Sequence, residues 1–262
     1  MNIVKNCVIG KQWRVIAAGV LIAAAPLVGL AVVVNHQVAA TLEDRLVKET
    51  QWFSATAGRH LDQAIDGVIT SGNVFVTRPL LLKAMKEGDR AAQTDHLRDL
   101  IEGVPALERA FLATRRGVQT ACWPYTPSTV GRDFSDRDWF QGVSAEWKPY
   151  VSEFYLRMAE PKRHVFAVAV PVRDKGGVIG VLVMQPRPEF IGNILGPMEI
   201  GQGHVFVVDR KGRLIHNTEG SQEGLTDFSR YPDVQALMRG EEGVFTGPET
   251  DCPTPVVSAF NL

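Results

Sequence analysis

Cysteine is scarce in this sequence, and neither sign of charge is in excess. The 262 residues include three cysteines, Cys7, Cys122 and Cys252, which are too few and too scattered for a disulfide scaffold or a zinc knuckle. The 28 basic and 29 acidic residues give a formal net charge of -1. A nucleic-acid-binding protein usually shows a basic excess, so this balance argues against that class. The 45% of hydrophobic residues is typical of a folded chain.

The sequence also lacks the motifs of common catalytic and cofactor sites. No pair among its six histidines has metal-ligand spacing with a cysteine or a carboxylate, and no Cys-x-x-Cys-His haem motif occurs. The segment GQGHVF at 201–206 is not a dinucleotide loop, because the third glycine is missing and a strand is predicted there. No Gly-x-Ser-x-Gly elbow occurs either. We therefore expect neither enzymatic activity nor a cofactor or metal in this chain.

An uncharged run of twenty residues, 15–34, stands near the N-terminus. As a helix it would span about 30 Å, the thickness of a bilayer's hydrocarbon core, so the sequence predicts a transmembrane helix there. Basic residues precede the run and the first acidic residues follow it, which predicts residues 1–14 in the cytoplasm and residues 35–262 outside the membrane. The alternative is a signal peptide, with cleavage after Ala40 releasing a secreted solute-binding protein.

A long helix is predicted after this run, over residues 36–75, because apolar positions recur mostly in steps of three, four or seven and no proline interrupts them. Such a stiff helix can carry motion across a bilayer or can serve as a simple stalk, and the pattern leaves both open. The Thr77-Arg78-Pro79 segment ends the pattern. A second helix is predicted over 79–101, with a polar stretch at 89–95 that can break it.

The hydrophobic period changes to two from Leu107 onward, which predicts strands. Two pairs of apolar runs are joined by glycine-containing turns and are typical of hairpins, 164–172 with 178–185 and 203–209 with 213–217. Further strands are predicted at 107–117, 118–125, 149–157, 243–247 and 255–260, and short helices near 135–143 and 231–240. The sequence thus predicts an α+β fold with a larger unit and a smaller one. We expect the smaller unit to be incomplete, because a mixed unit of this kind needs one or two more strands.

Four segments, taken in their order and spacing, resemble the double Cache (dCache) family of sensor domains. They are GRDFSDRDWFQ at 131–141, SEFY at 152–155, AVPVRDKGGVIGVLVM at 169–184 and GHVFVVDRKGRLIHN at 203–217. Domains of this family are the extracytoplasmic parts of bacterial chemoreceptors, sensor histidine kinases and diguanylate cyclases. The resemblance implies two PAS-like antiparallel-sheet subdomains, a membrane-distal one at 76–187 with the ligand pocket and a membrane-proximal one at 188–262.

The family members that bind amino acids imply a site in the distal subdomain. They share an Arg-x-Trp-aromatic stretch, which Arg137, Trp139 and Phe140 fit, and a tyrosine eighteen residues after the arginine, which Tyr155 fits. At two other family positions this sequence differs. An arginine, Arg132, replaces an aromatic residue, and Gln185 replaces the aspartate that binds the ligand's ammonium group. The resemblance therefore implies the carboxylate half of the site and not the amine half.

The chemistry of the side chains agrees with that division. The planar guanidinium of Arg137 suits a carboxylate, and Trp139 can stack on it. The strand period places Tyr155 and Arg157 on one face, so both can face the pocket. We therefore expect a small anionic metabolite, a mono- or dicarboxylate rather than a zwitterionic amino acid. The expected ligand-binding residues are Arg132, Arg137, Trp139, Phe140, Tyr155, Arg157 and Gln185.

The predicted function is extracytoplasmic sensing of a small ligand by a bacterial transmembrane receptor of the inner membrane, which forms a homodimer through the long helix and relays binding along it. Several alternatives stay open. Arg137 can instead pair with Asp133 or Asp136 at the surface, and the domain can be a ligand-free dimerisation spacer. The chain can also be the N-terminal fragment of a sensor histidine kinase or a diguanylate cyclase. Two of the cysteines, Cys122 and Cys252, can form a disulfide outside the cytoplasm.

Overall fold

The computed structural model describes residues 3–196, 204–218, 226–249 and 252–260. Backbone contacts divide the chain into two units, Met1–Gln51 and Trp52–Leu262. The first helix, α1 (Ile3–Phe75), contributes its first part to one unit and its last part to the other. The predicted long helix that ends at residue 75 is therefore confirmed.

In the first unit, most side chains of residues 15–25 lie outside the described set. Large apolar side chains that follow them are exposed, among them Leu27, Val34 and Leu42. Within the part of the chain that the structure describes, no helix has both the length and the apolar character needed to cross a membrane. The transmembrane helix predicted at 15–34 is therefore not confirmed.

Two short helices follow α1, namely α2 (Pro79–Glu87) and α3 (Arg90–Gly103). Gly88 ends α2 in the left-handed region, with φ 69°. The side chain of Asp89 then caps α3 by accepting a hydrogen bond from the backbone N–H of Ala92 at 3.0 Å. The single helix predicted at 79–101 is therefore two helices, because a C-terminal glycine and an N-terminal capping aspartate stand next to each other.

A five-stranded antiparallel sheet forms the centre of the second unit. The elements in this region are β1 (Leu107–Thr114), β2 (Gln119–Trp123), α4 (Asp138–Glu146), β3 (Tyr150–Val151), β4 (Tyr155–Leu156), β5 (His164–Val165), β6 (Val168–Asp174) and β7 (Gly177–Pro186). The order in the sheet is β2-β1-β7-β6-β3, and β4 pairs separately with β5. The predicted hairpin of β6 and β7 is confirmed.

The strands predicted at 149–157 and 164–172 are each divided in two. At the division, the hydroxyl of Ser152 accepts a hydrogen bond from the backbone N–H of Ala167 at 2.9 Å. A side-chain oxygen thus takes a position that a backbone carbonyl would hold in a regular ladder. The chain between β4 and β5 leaves the main sheet as a small separate hairpin, and this hairpin brings residues 155–159 to the site described below.

The two faces of the main sheet carry different hydrophobic clusters, because successive side chains of a strand point to opposite faces. Leu182 and Met184 of β7 belong to the cluster that includes buried residues of α1 and α3. Phe111 and Val183 belong to the other cluster, together with the buried Trp139 of α4. The face of α4 is the one that holds the candidate site.

Residues after β7 form α5 (Phe190–Leu195), β8 (Phe206–Val208), β9 (Leu214–Asn217), α6 (Pro232–Met238), β10 (Gly243–Glu249) and β11 (Cys252–Phe260). The predicted hairpin at 203–217 is confirmed as β8 paired with β9, and β10 pairs with β11. Phe190 and Leu195 of α5 lie in the same hydrophobic cluster as α1. The α+β class with antiparallel sheets is confirmed, whereas the two subdomains at 76–187 and 188–262 stay a prediction.

Candidate ligand site

A small pocket lies on the α4 face of the sheet. Its internal volume, counted as the space that the centre of a water molecule can occupy, is about 40 Å³. This volume accommodates a ligand of a few non-hydrogen atoms. Its walls come from β1, β2, β7, the segment that leads into α4, and residues 155–159. Three of the lining residues are arginines, Arg109, Arg137 and Arg157, and among the described residues that line it no side chain is acidic.

The segment that carries Arg137 is fixed to the edge of β2 by backbone hydrogen bonds. The N–H of Gln119 donates to the carbonyl of Arg132 at 2.9 Å, and the N–H of Phe134 donates to the carbonyl of Gly117 at 3.0 Å. Gly117 has φ 86°, and a Cβ at this position would lie 2.9 Å from the backbone nitrogen of Ser135. The close approach therefore requires glycine. The fixed segment places Arg137 directly before the start of α4.

The guanidinium of Arg137 faces the ring of Tyr155, with 5.9 Å between the guanidinium carbon and the ring centroid. Within the described part of the chain no hydrogen bond or ion pair engages this guanidinium. The alternative pairing with Asp133 or Asp136 is therefore absent there. The carboxylate of Asp133 instead accepts the N–H of Ser135 at 2.8 Å, a bond that lowers the pKa of Asp133.

Helix α4 divides its two predicted ligand contacts between the pocket and the core. Trp139 is fully buried and lines the pocket, and its ring stands edge-on to Phe111 at 5.4 Å between centroids. Phe140 is not a lining residue, and it packs edge-on against Trp139 at 5.8 Å and Trp147 at 6.5 Å. Neighbouring helical residues point about 100° apart, so only one of the two can face the cavity. The structure gives Phe140 a place behind Trp139.

Tyr155 and Gln185 line the pocket together. The side-chain amide of Gln185 donates a hydrogen bond to the hydroxyl oxygen of Tyr155 at 2.8 Å. Burial raises the pKa of Tyr155 to about 12, so the hydroxyl is neutral at physiological pH. The pair thus offers the pocket uncharged polar groups, in contrast to the carboxylate that amino-acid-binding family members have at the glutamine position.

Arg157 lines the pocket, but three of its five N–H donors are already engaged within the fold. Its guanidinium makes two hydrogen bonds to the carboxylate of Glu108, at 2.8 Å and 3.2 Å, and its Nε donates to the carbonyl of Pro161 at 2.7 Å. Arg163 approaches the same carboxylate at 3.5 Å. The charge of Arg157 is therefore neutralised within the fold, and the residue forms a fixed wall.

Arg132 is the second predicted residue that does not line the pocket. Its side chain is exposed and donates to the sulfur of Met158 at 3.0 Å. Met158 itself lines the pocket, so Arg132 contacts the wall from outside. The role of Arg132 as a direct ligand contact stays a prediction.

Arg109 of β1 is a pocket residue that sequence reasoning missed. It is buried, and its Nη1 donates to the carbonyl of Pro124 at 3.0 Å and to the hydroxyl of Thr126 at 2.8 Å. Burial lowers its pKa, because the charged form loses hydration. The available signal was a charged pair, Glu108 and Arg109, inside a strand that is otherwise almost entirely apolar.

Cys122 is a free, buried thiol beside the same pocket, and the backbone N–H of Thr126 lies 3.3 Å from its sulfur. The disulfide to Cys252 considered above is therefore not formed, and the side chain of Cys252 lies outside the described residues. Among the residues that the structure describes, no group of three His, Cys, Asp or Glu side chains could hold a metal ion.

Solved structures with a similar fold are sensor domains. The sensory domain of the Campylobacter jejuni chemoreceptor Tlp3 with isoleucine bound has a TM-score of 0.60 and 17% identity, and the match covers 79% of this chain and 84% of that one. The sensor domain of the Vibrio cholerae histidine kinase DctB has a TM-score of 0.53 and 20% identity, with 67% of each chain covered.

An extracellular ligand binding receptor from Desulfohalobium retbaense has a TM-score of 0.52 and 17% identity, with 72% of this chain covered. This chain spans only 35% of the length of that receptor. At such identities these likenesses show the fold alone. No curated protein matches the chain.

The resemblance noted in the sequence is confirmed at the level of the family. The Cache domain profile dCache_1 matches residues 30–251, which is most of the chain. Cache domains are extracytoplasmic sensor domains of membrane receptors. With the antiparallel sheet, the arginine-lined pocket and this match, the chain belongs to the dCache_1 family of Cache domains.

Proposed function

We propose that this chain is the extracytoplasmic sensing module of a bacterial membrane receptor and that its pocket binds a small carboxylate. The observation that carries the proposal is the guanidinium of Arg137, which lines the pocket and has no hydrogen-bond or ion-pair partner among the described residues. Its planar donors match the two oxygens of a carboxylate. Cache domains are sensory rather than catalytic, so the proposal includes no catalytic step.

The other lining residues support an anion rather than a zwitterion. No described residue that lines the pocket is acidic, so nothing there offers a negative charge to a ligand's ammonium group. The hydroxyl of Tyr155 and the amide of Gln185 are neutral, and Arg109 adds positive charge. The isoleucine bound to Tlp3 also carries a carboxylate, which in our proposal is the group that Arg137 holds. This chain is expected to differ at the amine end.

In this proposal, β7 carries the signal from the pocket to α1. Gln185 lines the pocket, and Met184 beside it belongs to the cluster on the opposite face, which includes α1. α1 packs closely there, since a Cβ at Gly72 would lie 2.3 Å from the terminal methyl carbon of Met184. A ligand that shifts Gln185 therefore changes the surface on which α1 rests.

The exposed apolar side chains of α1 between residues 27 and 46 are the surface that we assign to a second copy of the chain. Cross-linking between cysteines introduced at Leu42 tests both the dimer and the relay. The dimer predicts cross-linked pairs at low protein concentration, and the relay predicts that a bound carboxylate changes their yield. A chain that stays monomeric, or a yield that ligand leaves unchanged, would count against the respective part.

Thermal shift measurements on the whole chain test the binding proposal, with a panel of small carboxylates and amino acids. A ligand at a hundred times its Kd stabilises a protein by about 2.7 kcal/mol, which for a unit of this size raises the Tm by roughly 5–10 °C. We expect a carboxylate to produce such a rise in the parent chain. Arg137→Ala is expected to abolish it, and Arg137→Lys to weaken it, because an ammonium lacks the planar pair of donors.

Arg115→Ala is the matched control. Arg115 also lies over an aromatic ring, 5.7 Å from the centroid of Trp147, but it does not line the pocket. The stabilisation by carboxylate is expected to survive in this variant. Stabilisation that persists in Arg137→Ala would contradict the assigned site. If no compound of the panel stabilises the parent chain, the domain is a ligand-free spacer and the proposal is wrong.

A further inference from the structure

Two buried polar side chains face each other across neighbouring strands at the pocket. Arg109 of β1 and Gln185 of β7 are register partners in the antiparallel pair, and both line the pocket. Arg109 is 7% exposed and Gln185 is 3% exposed. Directly opposite residues of an antiparallel pair have side chains close enough to act on one bound group.

Each of these two side chains has one fully buried polar atom without a partner. Within the described residues, the buried side-chain nitrogen and oxygen atoms that make no hydrogen bond are Nε of Arg109 and Oε1 of Gln185. The first atom is a donor and the second is an acceptor. Because both lie at one pocket, a single ligand group can satisfy both.

Another polar atom of each side chain holds it in place. Nη1 of Arg109 donates to the carbonyl of Pro124 and to the hydroxyl of Thr126, at 3.0 Å and 2.8 Å. Nε2 of Gln185 donates to the hydroxyl oxygen of Tyr155 at 2.8 Å. The donor and the acceptor are therefore preorganised, and a ligand does not have to order them on binding.

Few ligand groups match a buried donor beside a buried acceptor. A hydroxyl does, since it accepts from Nε and donates to Oε1. An ammonium group only donates and would place a second positive charge beside Arg109. A carboxylate only accepts and would leave Oε1 unmatched. A methyl group satisfies neither atom, and unmatched buried polar atoms are costly.

We infer that the ligand is a short hydroxycarboxylate, whose carboxylate is held by Arg137 and whose hydroxyl lies between Arg109 and Gln185. This inference rests on the proposed function, because it adds a second contact to the same ligand. The small volume of about 40 Å³ favours the shortest members of the class. Arg109 and Gln185 are then the residues that decide which carboxylate is chosen.

Four acetate derivatives that differ in one substituent separate the possibilities. Glycolate carries a hydroxyl, acetate a hydrogen, glycine an ammonium group and malonate a second carboxylate. Isothermal titration calorimetry on the whole chain, with competition for weak ligands, gives their affinities. We expect glycolate to bind at least tenfold more tightly than acetate, which corresponds to one hydrogen bond to a buried group. Glycine and malonate are expected to bind more weakly than glycolate.

Gln185→Met removes the acceptor while keeping the length of the side chain. We expect the ratio of glycolate to acetate affinity to fall clearly below that of the parent chain in this variant, because the hydroxyl keeps only its bond from Nε of Arg109, while acetate binding persists. The control is Arg115→Ala, because Arg115 lies outside the pocket lining and leaves both Arg109 and Gln185 in place. Its ratio of affinities is expected to stay at tenfold or more. A purely structural role of Gln185 would change the affinities of glycolate and acetate together and leave their ratio as it was.

The outcomes distinguish this inference from the proposed function. If carboxylates bind and Arg137→Ala abolishes binding, but glycolate binds no tighter than acetate, the function stands and the hydroxyl contact is refuted. Tighter binding of malonate or glycine than of glycolate would also refute it, and the malonate result would mean that the amide of Gln185 turns its nitrogen to the pocket. If none of the four compounds and no carboxylate of the larger panel binds, the proposed function itself fails.

Discussion

Arg157, one of the arginines that line the pocket, forms an ion pair with Glu108, and replacing Glu108 tests how much this pair stabilises the fold. The side chain of Arg157 is 2% exposed and that of Glu108 is 21% exposed. Two hydrogen bonds of 2.8 Å and 3.2 Å join the guanidinium to the carboxylate, and a third bond of 2.7 Å runs from Nε to the carbonyl of Pro161. Replacing Glu108 by alanine leaves a buried guanidinium with only this last partner and no negative charge in contact.

The size of the expected effect follows from the burial of the charge that remains. Breaking a buried ion pair by removing one partner costs about 3–5 kcal/mol, because the other charge stays away from water. Glu108 is partly exposed and Arg157 keeps its bond to Pro161, so we expect the lower end of that range. About 3 kcal/mol lowers the Tm of a unit of this size by roughly 6–12 °C. Urea unfolding followed by tryptophan fluorescence measures the free energy directly.

A second ion pair of the chain provides the control. Lys148 and Glu146 are 2.6 Å apart, closer than the buried pair, but their side chains are 74% and 68% exposed. Glu146→Ala is expected to cost about 0.5 kcal/mol or less, because exposed pairs contribute little. The comparison therefore separates the effect of burial from that of distance.

The double variant Glu108→Ala/Arg157→Met checks the physical reason for the loss. If an unpaired buried charge destabilises Glu108→Ala, removing that charge as well is expected to recover part of the free energy. The double variant should then be more stable than Glu108→Ala alone. A loss below about 1 kcal/mol in Glu108→Ala, or a double variant less stable than that single one, would refute this reasoning.

Two further predictions concern the sheet and the pocket hydroxyl. Gly180→Ala is expected to lower the free energy of unfolding by about 1–3 kcal/mol, because its Cβ would lie 2.4 Å from the carbonyl oxygen of Ala113. Gly176→Ala is the control: a Cβ there has no atom within 4 Å, so the urea midpoint should stay nearly unchanged. Equal midpoints would contradict the close approach. Burial raises the pKa of Tyr155 to about 12, so the absorbance difference between the parent chain and Tyr155→Phe should develop near pH 12, and a step near pH 10 would contradict this. Because the unfolded chain releases this proton at a pKa of about 10, the stability from Tyr155 is complete below pH 10 and is lost as the pH rises towards 12.

The parts of the fold that could be predicted are those with local signals. Neighbouring residues in the sequence determine the hydrophobic period of α1 and its end at Phe75. The same holds for the hairpin of β6 and β7 with its glycine turn. The break between α2 and α3 depends on the adjacent Gly88 and Asp89, and the polar stretch at 89–95 indicates this break in the sequence. Division of the strand at Ser152 was not predicted, because it depends on a hydrogen bond to a residue fifteen positions away.

The candidate site was only partly accessible to the same reasoning. Arg137, Trp139 and Tyr155 line the pocket as the family motif implies. Arg109 could not be assigned, because β1 shifts its register between Leu107 and Arg109 and strand alternation is interrupted there. Its partner across the sheet is 76 residues away in sequence, and such pairing follows from the fold rather than from a local pattern.

The three arginines of the pocket differ in how far their charge is already satisfied. Arg157 is paired with Glu108, and Arg109 is held by neutral oxygens while burial lowers its pKa. Arg137 is half-buried and has no such partner among the described residues. Burying positive charge without a counter-charge destabilises a fold, so the empty arrangement is less favourable than one with an anion in place. An anion that reaches both Arg137 and Arg109 therefore supplies the missing counter-charge. Its binding lowers the free energy of the folded chain relative to the empty state.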